Sequence, residues 1–305
     1  MSGKYWESVL QADANYKLAH IGLGRVAFKN KEYAKAMDEY YLAQSKEDYS
    51  RAFSKNRHEL FRGNFYIVLL FICMAAAGVF LLLKLYQRIT AKAVNAPGNV
   101  NMMRAGLLVL KSPRDSFEIL KLNRSRLSWL PAVIIFGLMT LVRIIYVLNV
   151  NFSLSSVEPA QSNIFLEIVK ILILPLTWII AIFLVTSIAD GETKLREIAL
   201  ATGYCVVPYV IFTLPLTLLS QILSLEEAGL YRFLQIAIVA WIIILIFFSV
   251  MRLNNYSFSK TLGLCIVGLL LTLLIWGVGL LFFGLIGQVY SFISGILLEI
   301  RMSFI

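Results

Sequence analysis

Long apolar runs alternate with short polar ones over most of the chain, and the first 64 positions and the block 84–126 depart from that rhythm. A helix needs about 20 mostly apolar residues to cross the hydrocarbon of a bilayer. Six runs meet or approach that length, at 65–83, 129–148, 171–189, 203–223, 233–251 and 262–286. The pattern predicts an all-α fold, a polytopic helical membrane protein with six transmembrane helices. Four parts follow: a helical segment at 1–64, an anchoring span at 65–85, a basic linker at 86–128 and a five-span domain at 129–305.

The charged stretch at 190–196 sits between two of these runs. An unpaired charge in hydrocarbon costs about 2.5 to 3.5 kcal/mol on the most lenient scale. Asp190, Glu192 and Arg196 are therefore predicted in a tight turn at a membrane surface, followed by Glu197, with the next span entering the bilayer from Gly203. Composition agrees: 59% of residues are hydrophobic and 15% charged, with mean hydropathy +0.77, against about 45 to 50% apolar in soluble domains.

The first 64 residues show helical periodicity instead. Leu23, Gly24, Ala36, Tyr40 and Ala43 recur at the intervals of a two-helix unit, with small residues where helices must approach. The stretch 17–50 resembles a tetratricopeptide repeat; a generic amphipathic hairpin is the alternative. Trp6 lies 34 residues before Tyr40, as if in the preceding repeat. Such repeats bury their apolar faces only against neighbours, so the chain is expected to continue an array that starts upstream.

The block 84–126 carries nine Lys or Arg against Asp115 and Glu118. Its pieces MMRAGLLVL and SFEILKL are too short to span, and an apolar face flanked by cations favours the membrane interface. Arg104, Lys111, Arg114, Phe117, Lys121, Arg124 and Arg126 are the candidate interface residues. Beyond the first span, alternate loops hold thirteen cations on one side and three on the other. The excess belongs in the cytoplasm. That places the C-terminus and residues 1–64 outside, the latter despite eleven cations, and calls for a signal peptide upstream because none is present in the first 60 residues. Anionic inner-leaflet lipids are an expected partner, and nucleic acid is not.

Few residues in the spans carry chemistry. Arg143 marks a substrate path, pairs with a carboxylate on another helix, or turns toward the outer interface beside Tyr146. Glu167 and Lys170, at i and i+3, are expected to pair. Pro175, Pro208 and Pro215 free backbone carbonyls inside spans, and Gly277, Gly279, Gly284, Gly287 and Gly295 permit close packing. Cys73, Cys205 and Cys265 fall in separate runs without ligand spacing, and both histidines, His20 and His58, lie before the first span. No nucleotide loop, metal-ligand cluster or activated nucleophile is visible. No catalytic residue, cofactor or metal is expected, and the chain is read as a non-enzyme.

Three stretches carry a family resemblance: SPRDSFEILK ahead of the second span, ADGETKLREI after the third, and GYCVVPY opening the fourth. With five spans and an outside C-terminus, residues 105–300 resemble the Yip family of Ypt/Rab-interacting membrane proteins, of its bacterial type. The eukaryotic Asp-Leu-x-Gly-Pro motif is absent. The resemblance implies a non-enzymatic membrane domain that associates with other membrane proteins, with Gly203, Tyr204, Pro208 and Pro215 as packing and kink residues. A competing pattern is the docking loop of ABC-transporter permeases, which Glu197, Ala199, Gly203 and Leu214-Pro215 partly match. It predicts a transporter partner, but it sets Leu214-Pro215 inside the bilayer.

Overall fold

The computed structural model describes residues 2–63, 81, 84–85, 87–88, 102–124, 127–155 and 163–303, without the side chains of 2, 102–104 and 296–303. Among them there are helices and no strands. The first four helices are α1 (Ser2–Ala12), α2 (Lys17–Lys29), α3 (Tyr33–Leu42) and α4 (Lys46–Gly63). Each packs on the next. Ala27, Ala36, Tyr40 and Ala52 form their core. Gly24 admits this packing, because a Cβ there would stand 2.5 Å from the Tyr40 ring. Gly22 lies against the Trp6 indole in the same way.

Five segments among the described residues are long and apolar enough to cross a membrane: Leu130–Asn149, Ile164–Ile188, Leu195–Ser220, Leu225–Asn254 and Phe258–Gly295. They match five of the six expected spans; the sixth, at 65–83 with Cys73, lies outside the described residues except for Leu81. The helices are α5 (Met102–Leu108), α6 (Pro113–Leu122), α7 (Leu130–Asn149), α8 (Ile164–Ile188), α9 (Leu195–Cys205), α10 (Val207–Ser220), α11 (Ala228–Asn254) and α12 (Phe258–Ser303).

Local chemistry sets these boundaries. Pro131 opens α7 and Pro208 opens α10, where the missing N–H costs nothing. Asn163 caps α8 by accepting from the Phe165 amide at 2.9 Å. Asp190 and Asn255 take the left-handed conformation just after α8 and α11. The Gly191 amide then reaches the Thr186 carbonyl at 2.8 Å, and the Tyr256 amide the Met251 carbonyl at 3.1 Å. Both are Schellman closures.

Two boundaries differ from the hydropathy reading. The fourth span starts at Leu195 rather than Gly203, because Glu197 has a cationic partner inside the fold. The last helix runs 46 residues, about 69 Å at 1.5 Å per residue, since no stop signal interrupts its apolar run. Its first half packs on α8. Leu280, Leu281, Phe282 and Phe283 in its second half are exposed.

The largest core cluster joins α5 and α6 to the spans. Ala105, Val109, Phe117 and Leu120 pack with Ile135, Met139, Tyr204, Leu245 and Leu253. Tyr204 is fully buried, and a Cβ at Gly106 would stand 2.9 Å from its ring. We call lower the end of the bundle where α8 and α11 finish and α5 and α6 pack. The upper end is where α7 and α10 finish, and the N-terminal helices rest there. Tyr41 and Tyr49 meet the Phe152 ring edge-on, at 4.9 and 5.2 Å between centroids. Lys46 donates to the Ser155 carbonyl at 2.7 Å, and the Leu225 amide donates to the Ser50 hydroxyl at 2.8 Å.

Candidate functional site

Two charged constellations stand out, one at each end. At the lower end, Arg124 follows α6 and reaches three elements. Its Nη2 donates to the Leu253 carbonyl of α11 at 2.9 Å, its Nε lies 3.3 Å from Glu197 Oε2 and its Nη1 lies 3.4 Å from Glu192 Oε2. Arg196 closes the loop by donating to the Arg124 carbonyl at 3.3 Å. Glu197 is 1% exposed in the first turn of α9, where the helix dipole favours a carboxylate. Arg124 meets the carbonyl end of α11, where the dipole favours a cation. One guanidinium thus joins the end of α11 to the start of α9.

The adjoining turn is tight. A Cβ at Gly191 would stand 2.7 Å from the Thr186 carbonyl and 2.8 Å from both Asn254 Oδ1 and the Tyr256 hydroxyl. Thr193 donates to Asn254 Oδ1 at 3.0 Å. Tyr256 and Lys260 donate to the Ala189 carbonyl at 3.1 and 3.0 Å, so one hydroxyl and one cation cover the end of α8. Asp190, the left-handed residue of this turn, is exposed.

In the upper half, Arg143 points at α8. Its Nη2 and Nε lie 2.5 and 3.0 Å from Glu167 Oε2, and Lys170 donates to Oε1 of the same carboxylate at 2.7 Å. The i, i+3 pair is therefore present, and Arg143 forms an ion pair with a carboxylate on a neighbouring helix. Glu167 is 3% exposed. The Arg143 guanidinium also lies 5.2 Å from the centre of the Tyr146 ring, and Tyr146 accepts from the Gln235 amide at 3.1 Å. The cluster ties α7, α8 and α11 together within the bundle.

The remaining predicted residues divide between core and surface. Gly203 and Tyr204 are buried in the core of the bundle. Pro208 and Pro215 line an apolar groove of about 490 Å³ between α10 and α11. Phe117 is fully buried, which corrects its reading as an interface residue: the apolar face of α6 meets protein, not lipid. Lys111 and Arg114 are exposed and Lys121 is half-buried. Arg114 also lies 5.9 Å from the centre of the Phe248 ring. The side chain of Arg104, and Arg126 altogether, lie outside the described residues.

The permease-like positions do not make a docking surface. Glu197, Ala199 and Gly203 are buried, and Leu214-Pro215 falls within α10. Sequence reasoning missed Lys46, Arg57, Phe152 and Glu227, which join the N-terminal helices to the bundle. No periodic signal marks such contacts. Among the described residues, no three His, Cys, Asp or Glu side chains are grouped to hold a metal ion.

The arrangement defines a multi-pass helical membrane protein whose charged groups fasten helices to one another. A family model described as the Yip1 domain matches residues 107–297, more than half of the chain, which therefore belongs to that family. No curated protein and no solved structure matches it.

Proposed function

We propose that this protein is a non-catalytic membrane scaffold or accessory subunit. Its N-terminal helices, read as tetratricopeptide-like, offer a partner-binding surface on the extracytoplasmic side. Its basic lower end contacts the anionic inner leaflet. The observation that carries this reading is the attachment of the N-terminal helices to the upper end of the bundle, opposite α5 and α6 at the lower end. A soluble layer held this way transmits the position of whatever it binds to the spans.

Tyr5, Tyr16, Leu18 and Leu42 are exposed on the N-terminal helices and supply the aromatic and aliphatic anchors that protein interfaces favour. At the other end, Lys111 and Arg114 are exposed. Each cation near an anionic leaflet adds about 1 kcal/mol of attraction. The partner is expected to be another membrane-associated protein, and the absence of the Asp-Leu-x-Gly-Pro motif gives no support to GTPase binding.

The test is the native size of the protein in mild detergent, with and without residues 1–63. The intact chain is expected to migrate in an assembly that the shortened chain fails to join. Equal migration, with both forms correctly inserted, would reject the scaffold role. Protease added to intact cells is expected to remove an N-terminal tag, and protection of that tag would reverse the assigned orientation.

A further inference from the structure

The upper junction holds a partly open cavity of about 370 Å³, within the range of small-molecule sites. Lys46 and Glu47 of α4 line it from the N-terminal side, and Tyr146, Tyr231, Arg232 and Gln235 line it from the bundle. Tyr231 is 2% exposed, and its hydroxyl makes no hydrogen bond of acceptable geometry, although the Tyr146 hydroxyl is nearby. A buried hydroxyl in that state is short of a partner. Lys46 spends one proton on the Ser155 carbonyl and keeps two further donors. The cavity thus has two cations, one carboxylate and an unsatisfied phenol.

Its depth narrows the choice of ligand. The cavity lies where α7 ends and α11 begins, the level at which lipid headgroups meet the spans. The apolar groove between α10 and α11 is lined by Pro208, Phe212, Leu219, Leu234, Ile238 and Trp241, and its Leu216, Leu219, Leu234 and Ile238 pack in one cluster with Tyr146 and Tyr231 of the cavity. The same turns of α11 serve both hollows: Tyr231 and Gln235 face the cavity, while Leu234 and Ile238 face the groove.

We propose that cavity and groove together form a binding site for a glycerophospholipid with a phosphoethanolamine headgroup. Lys46, Arg232 and the Tyr231 hydroxyl hold the phosphate. Glu47 receives the ammonium, which a headgroup without an amine cannot supply. One acyl chain lies in the groove against Phe212 and Trp241. The bound lipid bridges the N-terminal helices and the spans, so occupancy stiffens the junction on which the scaffold reading rests, yet binding itself does not depend on that reading.

The experiment uses the full chain, stripped of lipid in a detergent with an uncharged headgroup. Binding is followed by native mass spectrometry and by the melting temperature. Short-chain phosphatidylethanolamine is expected to bind and raise the melting temperature. Phosphatidylglycerol of the same chain length should bind more weakly, and inorganic phosphate at equal concentration should give no comparable shift. Arg232→Gln and Tyr231→Phe are each expected to weaken lipid binding about tenfold, the loss of roughly one charged or buried hydrogen bond. Ile238→Trp, which fills the groove, should weaken lipid binding and leave free phosphoethanolamine unaffected. Circular dichroism and lipid-free melting confirm that each variant is folded. Wild-type affinity in folded Arg232→Gln and Tyr231→Phe would overturn the site. Phosphate as effective as lipid would overturn the lipid assignment, and phosphatidylglycerol as effective as phosphatidylethanolamine would overturn the role of Glu47.

Discussion

Arg57 and Glu227 are 170 residues apart in the chain, yet Arg57 Nη1 stands 2.7 Å from Glu227 Oε2. The same guanidinium donates through Nη2 to Oε1 at 3.2 Å and through Nη1 to the Ile222 carbonyl. Glu227 is already fixed, since it accepts from the Ser224 amide at 2.9 Å in a capping box. The N-terminal layer therefore grips a preformed turn.

Arg57→Ala is expected to loosen that grip without unfolding either part. The side chains retain 21% and 40% exposure, so water and salt screen the pair. The coupling in a cycle with Glu227→Ala should be about 1 kcal/mol, falling as salt rises. Limited proteolysis after Arg62 measures it: the variant should be cut faster than the parent, and equal rates would remove this contact from the junction.

The Arg143–Glu167 pair should behave differently because it is buried. Arg143→Ala leaves the carboxylate of Glu167, 3% exposed, with only Lys170, whose side chain is 67% exposed. Breaking a buried pair costs about 3 to 5 kcal/mol, and the remaining lysine places this variant toward the lower end. Adding Glu167→Gln removes the uncompensated charge and should restore most of the melting temperature in detergent. A double variant no more stable than Arg143→Ala would show that packing, not charge, holds α7 to α8.

How far the sequence discloses this molecule depends on the range of each interaction. The five described spans follow from run length alone, and Glu167–Lys170 follows from helical spacing. The turn at Asp190 follows from charge density. The burial of Phe117 does not, because an apolar face reads the same whether it meets lipid or protein. The start of α9 at Leu195 does not either, since hydropathy charges Glu197 the full cost of an ion whose partner, Arg124, lies 73 positions upstream. Arg57–Glu227 and the cavity at Tyr231 need the folded chain to exist at all.

His20 makes the N-terminal layer sensitive to pH. Its Nδ1 lies 2.7 Å from Glu39 Oε2 and its Nε2 lies 3.0 Å from the Ala14 carbonyl. Both partners are acceptors, so the imidazolium, with a proton on each nitrogen, fits the site. Burial lowers the pKa, but the bonds to Glu39 and Ala14 and the Glu39 charge outweigh it, leaving the folded value above the ordinary 6.5. The stabilisation is present in full below about pH 6.5 and is lost as pH rises through the folded pKa. Hydrogen exchange in α2 and α3 should quicken over that interval and His20→Gln should abolish the dependence. An imidazole that titrates below 6.5 by NMR would contradict it.

Arg124 offers the sharpest test of the lower corner: its guanidinium hydrogen-bonds Glu192 and Leu253, while its Nε and Glu197 Oε2, 3.3 Å apart, form an ion pair without a hydrogen bond. Arg124→Ala strands Glu197 and frees the Leu253 carbonyl, and about 3 kcal/mol is expected from the buried charge alone. Arg124→Lys keeps the charge beside Glu197, but an ammonium cannot fork between Glu192 and Leu253 as a guanidinium does. Its loss should be intermediate. Glu197→Gln in the Arg124→Ala background should recover stability, since no charge then remains buried. Hydrogen exchange at 195–205 and at 113–122 reports the two sides of the joint, and both should open together in Arg124→Ala. If α9 opens while α6 stays protected, the core around Phe117 and Tyr204, and not the guanidinium, holds α6 in place.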